Sequence, residues 1–133
     1  MNNIIPNSKI FAITWAILIF ILSLLPPGAI EILHWDFLSR DKMLHTLFYS
    51  IFSFLVSDAF VKEINWQGAK LPFIIKTSFT CIAFGVLMEC LQYLEHLGRL
   101  FDAGDIIANC FGTLLGVFVY NLVSIILSKN NAN

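Results

Sequence analysis

Four runs of apolar residues alternate with short polar stretches along this chain of 133 residues. The first runs from about Ile10 to Leu25 and stops at Pro26-Pro27-Gly28, which cannot continue a helix. The second covers about Met43 to Val61. The third starts near Pro72, a favourable first-turn residue, and ends near Tyr93; the fourth covers about Ile106 to Leu127. A helical bilayer crossing needs about 20 apolar residues, within a range of about 17–25. All four runs approach or meet that length. The pattern predicts an all-α fold, a four-helix transmembrane bundle with short connections, in one domain covering 1–133. No internal repeat interrupts it, and the polar tail Lys129 to Asn133 is expected to fray. The first run, with Lys9 before it, has a signal peptide as a rival reading. It is long and no A-x-A site follows, so a retained helix is expected.

Composition moves the picture the same way. The chain is 58% hydrophobic and 13% charged, against about 45–50% and about 25% for average soluble domains. Net charge is −1 with no basic run, so nucleic-acid binding has no electrostatic footprint. The three cysteines, Cys81, Cys90 and Cys110, lie in apolar stretches without a zinc or redox spacing and read as small buried hydrophobes. With the N-terminus inside, the inner segments carry Lys9, Lys62, Lys70, Lys76 and Lys129, and the outer loops Arg40, Lys42 and Arg99. The excess of positive charge therefore places both termini in the cytoplasm.

That topology puts the start of the second helix, the end of the third and the start of the fourth at the outer face. The unusual residues sit in those three places. Asp41, His45 and Tyr49 are spaced i, i+4, i+8 on one face of the second helix, beside Lys42. Gly85, Glu89 and Gln92 share a stripe of the third, with Ser78 and Cys81 deeper in. Asp102, Asp105, Asn109, Gly112, Gly116 and Tyr120 fall within an arc of roughly 80° on the fourth, at about 100° per residue. The economical arrangement is a shallow polar pocket in the outer quarter of the membrane.

Glu89 and Asp105 are the leading acid/base candidates, because a carboxylate in low dielectric is costly to keep and is retained for a reason. His45 is the proton-transfer candidate. Arg99 and Lys42 are the candidate counter-charges. An Arg–carboxylate cluster is equally a structural clasp and an anion site for a substrate phosphate or carboxylate. Asp41, Gln92, Asp102, Asn109 and Tyr49 complete the candidate binding set, although Gln92 and Asn109 also suit helix-to-helix hydrogen bonds. Gly112-x-x-x-Gly116 reads as a close-packing face. Asp41, His45, Glu89 and Asp105 are residue types that bind divalent metals. No ligand spacing supports such a site, so no metal or other cofactor is expected. A transporter is disfavoured by four short helices without an inverted repeat.

In this order the residues resemble the VanZ-like family of small bacterial membrane proteins. The resemblance rests on Asp41-Lys42-x-x-His45-x-x-x-Tyr49, on Gly85-x-x-x-Glu89-x-x-Gln92, and on Arg99-x-x-Asp102-x-x-Asp105-x-x-x-Asn109-x-x-Gly112-x-x-x-Gly116. It runs from Asp41 to about Tyr120 and implies a single module without an appended domain. It also implies a multi-pass protein of the bacterial cytoplasmic membrane, linked to envelope properties or to resistance to the glycopeptide teicoplanin. The implied partners are membrane lipids and a lipid-linked envelope substrate or the glycopeptide. The resemblance supplies no established reaction. An outward-facing enzyme and a non-enzymatic binder whose polar network is helix glue both stay open.

Overall fold

The computed structural model describes residues 4–25, 38–61, 70–94 and 102–130, with the side chains of 38–41 and 70 excepted. They form four helices: α1 (Ser8–Ser23), α2 (Leu38–Phe60), α3 (Lys70–Leu94) and α4 (Ala103–Asn130). No strand occurs among the described residues. The helices fall where the apolar runs predict them, with displaced ends. α4 starts at Ala103 rather than near Ile106 because Asp102 begins it. Its Oδ1 accepts the Gly104 N–H at 2.6 Å, and its carbonyl accepts the Asp105 N–H at 3.1 Å. Asp105 then lies in the first turn, where the helix dipole favours an anion.

α2, α3 and α4 are each long and apolar enough to cross a membrane. α1 has 16 residues and spans about 24 Å, short of a hydrocarbon core of about 30 Å.

α2 and α4 form the most extensive helix pair. They run parallel, since Lys42 meets Asp105, Thr46 meets Ala108 and Phe54 meets Tyr120. Gly112 and Gly116 make this approach possible. A Cβ on Gly112 would overlap the Thr46 carbonyl, and one on Gly116 the Ser50 carbonyl and the Ser53 hydroxyl. The small-residue face is thus a packing face, as the spacing predicts. α1 lies antiparallel along α2, where the Trp15 Nε1–H donates to the Phe48 carbonyl at 3.0 Å and the rings stack 5.5 Å apart. α3 closes the bundle through Phe84 against Tyr49 and Phe52.

The interior is mixed and the exterior apolar. Ser53, Ser57, Thr77 and Thr113 are buried, while Met43, Leu71, Phe79, Ile107 and Phe118 are exposed. In water that distribution would be expensive. In lipid the outer residues need no burial, and small polar residues let helices pack closely. Of the cysteines only Cys81 is buried; Cys90 is exposed and Cys110 half-buried. This corrects the expectation that all three lie inside. Their faces of α3 and α4 are open, so they are apolar surface rather than core.

Candidate functional site

The first turns of α2 and α4 and the last turns of α3 meet at one end of the bundle. His45 sits about two turns inside α2, Asp105 in the first turn of α4, and Glu89 about one turn before the end of α3. One ligand-type atom from each lies within 4.8 Å of the other two. The convergence expected from periodicity is therefore present.

Lys42 closes the cluster on its exposed side. Its ammonium donates to Asp102 Oδ2 at 2.6 Å and to Asp105 Oδ1 at 3.1 Å. The Lys42 bond, helped by the Gly104 N–H, holds the Asp102 carboxyl below its usual range. The His45 Nδ1–H donates to Asn109 Oδ1 at 3.0 Å, and its Nε2 faces Asp105 Oδ2 at 3.8 Å. Glu89 is 3% exposed, Asp105 8% and Asn109 2%. Below them the Tyr49 ring edge and the Asn109 amide both abut Gly85. A Cβ there would meet Tyr49 Cε1 at 3.1 Å and Asn109 Nδ2 at 3.2 Å, so glycine lets α3 approach. Chemically, the arrangement combines two buried carboxylates, an imidazole oriented by an amide and one ammonium. Such a group can move protons or hold a cation, and the ammonium can receive an anion.

Not every candidate joins the cluster. Gln92 turns away and donates through Nε2 to the Ser23 carbonyl at 2.9 Å, answering an orphan acceptor at the end of α1. The side chain of Asp41, and Arg99 entirely, lie outside the described residues. Ser78 and Cys81 lie deeper than the cluster, as expected.

Asp58, near the end of α2, has no part in the sequence expectations. It is fully buried at the opposite end of the bundle. Its two oxygens accept the Ile4 and Ile5 N–H groups at 2.7 and 2.9 Å. A carboxylate inside an apolar run was the available signal. Its partner is main chain, which no residue pattern reveals.

A family model described as VanZ/LLP1 matches residues 3–124. The chain belongs to the VanZ-like family. No curated protein and no solved structure matches it. In this VanZ-like chain the three motif stretches meet in space. Lys42, His45 and Tyr49 come from the first, Gly85 and Glu89 from the second, and Asp102, Asp105, Asn109, Gly112 and Gly116 from the third. The glycines and Tyr49 bring the helices close, and the titratable residues occupy the end so formed.

Proposed function

We propose that this VanZ-like protein works at the outer face of the bacterial cytoplasmic membrane on the head group of a lipid-linked envelope molecule. The observation that carries the reading is the convergence of His45, Glu89 and Asp105 from three helices beside Lys42. A groove of about 490 Å³ supports the lipid half of it. Lys42 lies at its head, and Met43, Leu47, Phe111 and Leu115 line it between α2 and α4. A hydrocarbon chain in that groove places an anionic head group at the ammonium, beside the cluster. Glu89 or Asp105 then serves as acid/base, His45 transfers the proton, and Lys42 with Arg99 holds the anion. Both termini are cytoplasmic on the Lys and Arg distribution. Labelling of Asp102→Cys by an impermeant thiol reagent in intact cells, with the native cysteines replaced, checks that orientation.

The altered envelope is the link to glycopeptides. In a susceptible host the parent raises the minimal inhibitory concentration of teicoplanin. Glu89→Gln and His45→Ala at equal membrane levels reduce that rise at least tenfold. A rise that is intact in both variants sinks the enzymatic reading. The Gln92–Ser23 bond favours a second reading, in which amides hold the bundle together and the protein only binds a head group, the drug or a partner. That reading predicts a phenotype that follows protein amount and tolerates Glu89→Gln.

A further inference from the structure

We propose that His45, Glu89 and Asp105 form a binding site for one divalent transition-metal ion, zinc or manganese. The site uses the residues of the proposed function and rests on their being a functional cluster rather than a clasp. It does not depend on which substrate the protein takes.

The geometry is the first argument. Three ligand-type atoms from three helices lie within 4.8 Å of one another. Ligand atoms around one ion, at bond lengths of about 2.0–2.2 Å, stand roughly 3–4 Å apart. Side-chain adjustments of under about 1 Å close the difference, by the same bond lengths.

The second argument is the orientation of His45. With its Nδ1–H donated to Asn109 Oδ1 at 3.0 Å, Nε2 is the ring nitrogen left to ligate an ion. Nε2 lies 3.8 Å from Asp105 Oδ2, on the side of the cluster. A metal-binding histidine characteristically donates its other N–H to an oxygen, as His45 does to Asn109.

A third observation is independent of the cluster. Tyr49 is 2% exposed, and its hydroxyl has no hydrogen-bond partner among the described residues. Its ring edge lies at Gly85 beside the Asn109 amide. Side chains tilt toward a helix N-terminus, so Tyr49 leans toward His45 one turn earlier in α2. From there the hydroxyl is placed to serve a water or ligand held by the ion.

Charge agrees. Two carboxylates are buried, while the Lys42 ammonium is divided between Asp102 and Asp105. A divalent ion is compatible with two carboxylates at this depth. One imidazole with two carboxylates suits zinc or manganese better than calcium or magnesium, which prefer oxygen alone.

The test is metal binding by the purified full chain in detergent, stripped with chelator and dialysed against zinc or manganese. Cobalt serves as an absorbing probe. The expected result is about one ion per chain and a visible cobalt absorption band. Affinity falls at least tenfold in His45→Gln and Glu89→Gln and is unchanged in Cys90→Ser. Because the parent alone reports stoichiometry and the cobalt band, a variant that misfolds does not blunt the test. No ion above the detergent blank overturns the proposal, as does binding that survives both variants or disappears in Cys90→Ser. A teicoplanin phenotype that depends on Glu89 in a chain that binds no ion overturns the metal and leaves the proposed function standing.

Discussion

A carboxylate placed among apolar helices keeps its position only where something answers its charge. Asp58 and the Glu89–Asp105 pair show two different answers. Asp58 spends both oxygens on the Ile4 and Ile5 N–H groups and so fastens the segment before α1 to the end of α2. It is a structural anchor. Asp58→Ala leaves two half-buried donors without their acceptor, and the chain should lose about 1–3 kcal/mol of stability. Thermal unfolding in detergent, together with faster amide exchange at Ile4 and Ile5, checks this. Glu89 and Asp105 sit instead beside each other and an imidazole, an arrangement that the proposed function reads as a ligand site rather than a clasp. Asp102 is the contrasting exposed case. Its carboxyl is held low by Lys42. The bridge is therefore intact at neutral pH and is lost only as pH falls below the usual carboxylate range. It contributes little to stability, because solvent screens it.

At the scale of elements, the parallel α2–α4 pair decides where the functional side chains go. Lys42 and His45 on one helix face Asp105 and Asn109 on the other because Gly112 and Gly116 set both register and distance. Gly116→Ala should drive a methyl group into the Ser50 carbonyl and cost about 1–3 kcal/mol, typical of overpacking. The His45–Asn109 bond should weaken with it. A fall in melting temperature with unchanged helix content is the expected signature. An unaffected melting temperature would mean that the helices do not meet at Gly116. This pairing was half legible in the sequence. The small-residue spacing marked a packing face on the fourth helix but did not identify the helix it packs on. The start of α4 was misplaced by three residues, because its boundary followed the apolar run, although Asp102 and Asp105, already read on that helix face, cap and open the helix. Gln92 shared a stripe with Glu89, yet a single hydrogen bond to Ser23 takes it to α1.

At the scale of the molecule, the bundle is apolar outside and partly polar inside, the distribution suited to lipid. The four apolar runs were enough to give the helices and their class, because a length near 20 residues is set by the bilayer itself. They were not enough to show that α1 is shorter than a full crossing, or that hydroxyls fill so much of the interior. Periodicity brought the titratable residues to one end; it could not supply the His45–Asn109 contact that orients the imidazole. The account holds that function, rather than folding, requires the cluster at that end. The most direct test compares the melting temperatures of metal-free parent, Glu89→Gln and Asp105→Asn proteins, since both changes keep size and remove charge. The account predicts variants as stable as the parent or more stable, because sites kept for function hold strain that folding would discard. A loss of several degrees in both would contradict it and make the carboxylates clasps of the bundle.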